Sequence, residues 1–343
     1  MYEEFFHLSK APFAMTPDPE FLFLAPTHRE ALAGLLFTVM GRRGTAVLTG
    51  EVGTGKTTLL RKLIQSVPAE KVQFCSIFST NISPSEFFEL IMVGFGLPLE
   101  GDSKAQRLLR FWEFLMDCEA EGKTPVLLID EAHKLTADLL EEVRLLTNFE
   151  TAEHKLLQVV LAGQTELREL LRREDLRQFR QRVSVRVDLV PLQIVEIDQY
   201  MRHRWHHGGG NGNFPFNPAA VELVARYSHG IPRVMNAICD IALLRAYTAE
   251  TAAIGPETVR EALGVLELAD PMPEIKPVAA PLQIRLPRPA ALEAEAGALL
   301  RLPEDPPAAK RAAKPAAAAL PKPAPAPRTR WWAGLFSADR SKA

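Results

Sequence analysis

The sequence predicts an α/β domain with a parallel sheet flanked by helices, then a small all-helical lid domain and a disordered tail. Three observations carry this reading. Up to residue 192, short continuous apolar runs alternate with amphipathic helical segments, the pattern of parallel strands covered on both faces. Residues 193–268 show helical periodicity and no strand pattern. From residue 269 the chain turns to Ala, Pro and Lys, and 14 of its 27 prolines lie between Pro271 and Ala343. Such a stretch buries too little apolar surface to offset chain entropy.

Taken in order, residues 1–44 form a lead-in expected to pack on the α/β core. It holds Phe5, Phe6, Phe13, Phe21 and Phe23 among Pro12, Pro17 and Pro19, so no long helix fits before residue 26. A helix over 27–41 follows, with Ala31, Leu32, Leu35, Leu36 and Val39 at helical spacing. The α/β domain covers 45–192, with strands expected at 45–49, 72–78, 125–129, 156–162 and 183–190. Helices are expected at 57–66, 84–94, 104–121 and 137–147, and an Arg-rich one precedes the last strand. The lid domain, 193–268, reads as helices at 195–207, 218–228, 232–248 and 256–268. Pro218, Pro232 and Pro256 each sit where a helix begins, a place where proline's missing N–H costs nothing. Residues 269–343 are the tail.

Composition narrows the function classes. Hydrophobic residues make up 47% and charged residues 24% of 343, an ordinary globular balance. The net charge of −2 divides unevenly. Residues 1–270 carry 28 basic and 36 acidic residues, about −8, and the tail is about +6. An acidic body argues against nucleic acid as a partner. Cys75, Cys118 and Cys239 are far apart without a CxxC, which excludes a disulfide framework and a cysteine zinc site and suits a reducing cytosol. The acidic N-terminus does not resemble an export signal, and no apolar run approaches ~18 residues, so a cytoplasmic location is expected.

The chemistry concentrates in a few segments. Gly50-Glu51-Val52-Gly53-Thr54-Gly55-Lys56-Thr57, followed by Thr58, is a P-loop between a strand and a helix. Its glycines let backbone N–H groups converge on β- and γ-phosphates, Lys56 adds a cation, and the Thr57 hydroxyl is placed to ligate Mg²⁺. Asp130 and Glu131 end a buried strand. There Asp130 can hold the Mg²⁺ hydration shell and Glu131 can orient and deprotonate an attacking water. Gln164 follows the next apolar strand, where ligands of open α/β sheets sit. Arg177, Arg180 and Arg182 read either as a solvated charged face or as containing a finger that crosses a subunit boundary. Arg233 opens a lid helix, where it can meet phosphate from above. His203, His206 and His207 lack a carboxylate or cysteine to complete a metal set and read as a solvated helix end.

Together these segments resemble an AAA+ ATPase, specifically those of the general secretion pathway protein A and mannose-sensitive-pilus biogenesis families. The likeness runs from Pro12-Phe13 and Thr16-Pro17-Asp18-Pro19 through the P-loop, Asp130-Glu131-Ala132-His133, Leu161-Ala162-Gly163-Gln164 and Phe179-Arg180-Gln181-Arg182. It ends at Ser228-His229-Gly230-Ile231-Pro232-Arg233-Val234-Met235-Asn236. The resemblance implies ATP and Mg²⁺ as cofactors, Gln164 as sensor 1, Arg182 as the finger and Arg233 as sensor 2. It also implies a ring-like homo-oligomer that helps assemble a secretion, pilus or exopolysaccharide export machine with inner-membrane components. A DNA-associated ATPase and a nucleotide-gated scaffold with little turnover are the alternatives. Longer secretion ATPases add a membrane span and a peptidoglycan-binding domain after the lid. Here the tail follows, so peptidoglycan binding is not expected. The tail holds Trp331, Trp332, Leu335 and Phe336 among basic residues, and it reads as a tether to the membrane surface or to a membrane partner.

Overall fold

Helix α1 (Tyr2–Phe5) and a 3₁₀ turn (Pro19–Phe21) lead to helix α2 (Pro26–Met40). Strands and helices then alternate: β1 (Thr45–Gly50), α3 (Lys56–Ser66), β2 (Val72–Ile77), α4 (Pro84–Gly94), α5 (Lys104–Ala120), β3 (Thr124–Ile129), a 3₁₀ turn (Ala132–Lys134) and α6 (Ala137–Leu146). Next come β4 (Gln158–Gly163), α7 (Glu166–Arg172), α8 (Arg177–Arg182) and β5 (Val183–Leu189). The lid contributes α9 (Ile194–His207), α10 (Pro218–Ser228), α11 (Pro232–Thr248) and α12 (Pro256–Val265). This computed structural model describes residues 1–78, 82–99, 103–210 and 212–268. The expected disordered tail and its Trp331-Trp332 pair lie outside the described residues.

The helix starts are written locally. Ser83 and Glu86 form a capping box at α4, and Ser103 and Gln106 form one at α5. Asn217 caps α10 through its side chain, one residue before Pro218.

All five strands are parallel, in the order β2-β3-β4-β1-β5. The pairs Thr49↔Gly163 and Gly50↔Leu189 bring the carboxyl ends of β1, β4 and β5 to one edge. Along each strand the side chains alternate between two cores. Val47, Leu127, Ile129, Val159 and Leu161 join Phe87, Ile91, Phe111, Leu115 and Leu139 on one face. Ala46, Leu48, Val126, Leu128 and Val160 join Leu32, Leu35, Leu59 and Leu63 of α2 and α3 on the other. A third core belongs to the lid, around Met201, Trp205, Ile238, Leu243 and Val259.

Three expectations need correction. The lead-in does not pack on the α/β core alone. Leu22 and Leu24 face that core, but Tyr2, Phe13 and Ala25 are buried in the lid cluster, where Phe13 packs edge-on against Phe216. Helix α7 was not anticipated, because only Leu167 and Leu171 of its charged sequence are buried. The His-rich end of α9 is not uniformly solvated. His206 and His207 are exposed, but His203 is half-buried, with its ring 5.5 Å from Phe23 and 4.0 Å from His207. The cysteines are all buried, as their apolar contexts predict.

Candidate functional site

The P-loop bridges β1 and α3 at the carboxyl edge of the sheet. Gly53 (φ +82°) and Gly55 (φ +99°) adopt the left-handed backbone that glycine supplies without strain. A Cβ at Gly53 would also lie 2.6 Å from Arg233 Cβ. The Arg233 N–H donates to the Gly53 carbonyl at 3.2 Å, so α11 begins directly against the loop.

Lys56 opens α3 and is only 7% exposed. Its Nζ donates to the Gly50 and Glu51 carbonyls, each at 2.8 Å. Burial pushes the Lys56 ammonium below its usual range, opposed by the carboxylates of Asp130, Glu131, Glu51 and Glu166. An arriving phosphate would oppose that shift further. Thr57 Oγ1 donates to Asp130 Oδ2 at 2.8 Å, and Asp130 Oδ1 accepts the Glu131 N–H at 2.9 Å. Among the described residues no cluster of three or more His, Cys, Asp or Glu side chains forms a metal cage. A hydroxyl and a carboxylate side by side nonetheless suit Mg²⁺, which takes one or two protein oxygens together with substrate phosphates and water. The residues present therefore fit a magnesium nucleotide, and Thr57 and Asp130 are the side chains that would hold the metal.

Strand order explains why these groups meet. The P-loop follows β1, Asp130-Glu131 follows β3, and Gln164 follows β4, which lies between the two. A cleft of ≈ 360 Å³ opens here, lined by Val52 through Thr58, Glu131, Gln164 and Arg233. That volume is in the range of a small-molecule site.

Arg182 is not part of this cleft. It precedes Val183, which pairs with Thr45 at the amino edge of the sheet. Six residues of β1 at ~3.3 Å each place it roughly 20 Å from its own P-loop. Among the three arginines, Arg180 is engaged, since its Nη1 donates to the Leu171 and Arg172 carbonyls. Arg177 is exposed. Among the described residues Arg182 makes no ion pair, and its charge pushes the Lys155 ammonium down, second to burial.

Sequence reasoning missed the opposite wall of the cleft. Residues 14–18, Phe21, Phe23, His28, Tyr200 and Asn236 line it. Arg204 holds that wall in place. It is 8% exposed, with Nε donating to the Pro12 carbonyl at 2.6 Å and Nη2 to the Ala14 carbonyl at 3.3 Å, and its guanidinium lies over the Phe21 ring. Tyr200 donates to Asn236 Oδ1 at 2.7 Å beside it. The available signal was Arg204 itself, a charged residue on the apolar face of α9.

Comparison with known proteins agrees with this geometry. Residues 39–171 match the AAA domain family. Over 248 residues the chain is 42% identical to General secretion pathway protein A of Aeromonas hydrophila, covering 72% of this chain and 45% of that protein. The chain therefore spans less than half the length of that relative. The solved structure of Aeropyrum pernix ORC2, in ADPNP–ADP complexes, has a TM-score of 0.59 and 18% identity, covering 75% of this chain and 71% of that one. CDC6P from Pyrobaculum aerophilum has a TM-score of 0.57 and 20% identity, covering 73% and 71%. At such identities the two structures speak to the fold alone. With its P-loop, its β2-β3-β4-β1-β5 sheet and its helical lid, the chain has an AAA+ P-loop fold and is similar to General secretion pathway protein A.

Proposed function

We propose that this protein binds and hydrolyses ATP, and that its cycle drives assembly of a secretion, pilus or exopolysaccharide export machine at the inner membrane. The observation that carries hydrolysis is the meeting of Lys56, Thr57 and Glu131 in one cleft, with Asp130 hydrogen-bonded to Thr57 behind it. Thr57 and Asp130 would hold Mg²⁺, which would supply neutralising charge to the phosphates. Lys56 leaves its two carbonyls for phosphate oxygens, and the P-loop N–H groups hold the same anion. Glu131 accepts a proton from the attacking water, and Gln164, at the end of β4, orients that water or the γ-phosphate. Arg233 approaches from the lid, so lid and loop close together on nucleotide.

We infer a homo-oligomer in which Arg182 acts on the neighbouring subunit's nucleotide, because it lies a strand's length from its own. The export role rests on the 42% identity to General secretion pathway protein A, and the inner-membrane partners on the sequence resemblance alone. No helix among the described residues is long and apolar enough to cross a membrane.

The test is turnover. Wild-type protein should release phosphate from ATP. Lys56→Ala should lose nucleotide binding, whereas Glu131→Gln should retain binding and trap ATP, with kcat lower by the ~10²–10⁴-fold that a general base contributes. Wild-type turnover in Glu131→Gln would remove Glu131 from the role of base.

A further inference from the structure

We propose that His133 is a positioning residue that aims the Glu131 carboxylate by tying it to the backbone at Gln164, an inference that rests on the hydrolysis reading above. His133 lies in the 3₁₀ turn (Ala132–Lys134) that follows Glu131, and its side chain is only 11% exposed. The Gln164 N–H donates to His133 Nδ1 at 3.3 Å. A ring nitrogen that accepts carries no proton, so the neutral imidazole bears its hydrogen on Nε2. That Nε2 lies 3.6 Å from Glu131 Oε2, one small side-chain adjustment from a hydrogen bond. The two ring nitrogens thus face the two strand ends that carry the water-handling residues.

Two further features show that the arrangement is built. Glu131 sits at φ +55°, a conformation that a non-glycine residue keeps only when its surroundings impose it. Gly163 lets the end of β4 approach the turn closely, since a Cβ there would lie 3.0 Å from the His133 backbone nitrogen. Lys134 Nζ, 3.2 Å from the same Glu131 oxygen, supplies charge, but its side chain is 60% exposed and holds no direction. His133 supplies the direction. A base oriented by a third group through a fixed tautomer is the general logic of an activated catalytic pair.

Two substitutions separate the halves of the link. His133→Gln keeps an N–H donor near the Nε2 position, and His133→Asn keeps an acceptor near the Nδ1 position. In the full chain His133→Asn should lower kcat about tenfold or more, part of what a positioned base contributes, with KM for Mg–ATP and nucleotide affinity within about twofold of wild type. His133→Gln, which keeps the donor to Glu131 but gives up the anchor on the Gln164 N–H, should lose turnover measurably but less than His133→Asn. His133→Asn should cost nothing further in a Glu131→Gln background measured in single turnover. Unchanged kcat in His133→Asn would overturn the proposal. So would equal losses in both variants, or a loss of affinity alongside kcat, which would make His133 a packing residue. Hydrolysis that ignores Glu131→Gln would instead overturn the hydrolysis reading first, and the positioning role with it.

Discussion

Thr57 Oγ1 and Asp130 Oδ2 are joined by a 2.8 Å hydrogen bond that ties the first turn of α3 to the end of β3. The bond crosses the two motifs on which the proposed nucleotide chemistry depends, and it leaves two oxygens where one cation can take both. Thr57→Ala should therefore weaken Mg–ATP binding about tenfold, the equivalent of roughly 1.4 kcal/mol. Binding of ATP in excess EDTA should hardly change. Calorimetric titration in the two buffers distinguishes a metal ligand from a residue that merely packs α3: equal losses in both would mean the latter.

Arg204 joins the lead-in to the lid. Its guanidinium is withdrawn from water and serves the Pro12 and Ala14 carbonyls, so Arg204→Leu strands two acceptors and removes the cation over Phe21. Each stranded buried acceptor costs about 1–3 kcal/mol. Urea unfolding should show a loss of that order, and nucleotide affinity should fall with it because residues 14–18 line the cleft. A variant as stable as wild type, with unchanged affinity, would show that the lead-in docks without this clamp.

The contrast between Arg204 and the P-loop shows what a linear reading reveals. Phosphate binding demands glycines, a lysine and a hydroxyl at fixed short spacing, and magnesium demands a carboxylate at a strand end. Those demands left Gly50 to Thr57, Asp130 and Glu131 visible in order. The central strands β1, β3 and β4 were visible for a related reason: a strand covered on both faces permits little but apolar side chains, whereas the edge strands β2 and β5 carry polar residues as well. Arg204 follows no such local rule. Its partners lie 192 and 190 residues away, and they are backbone carbonyls, whose identity no side chain encodes. The same holds for His133, which looks like a loop residue until β4 is placed beside β3 and Gln164 N–H meets its ring.

His203 gives the lead-in a pH signature. Burial pushes its pKa down to about 4, assisted by the nearby charges of His207, Arg204 and His206 and opposed by a backbone hydrogen bond with Leu22. Between pH ~6.5 and ~4 the unfolded chain binds the proton and the folded one does not. Stability must then fall as pH is lowered through that window. Other groups titrate there as well, so the measurement is a difference. The melting temperature of wild type minus that of His203→Gln should decline from pH 7 to pH 4. A flat difference would show that His203 is solvated enough to titrate normally in the folded state.

Arg182 makes the sharpest demand on the assembly. It sits before Val183 at the amino edge of the sheet, and Glu131 follows β3 at the carboxyl edge, so one chain cannot bring them to the same phosphate. If Arg182 serves a neighbour's nucleotide, turnover per subunit should rise with protein concentration as oligomers form, and Arg182→Ala should lower kcat. A finger supplied in trans is worth about 10³–10⁵-fold where it has been measured, so even partial loss is easily read. Mixing supplies the decisive arm. Arg182→Ala subunits retain Glu131, and Glu131→Gln subunits retain Arg182. In mixed oligomers some interfaces pair an intact base with an intact arginine, and phosphate release should recover to a fraction of wild type. Light scattering on the same samples verifies that oligomers are present. Mixtures that assemble yet stay inactive would confine Arg182 to the sheet edge beside Lys155, and Arg177 would become the arginine to test next.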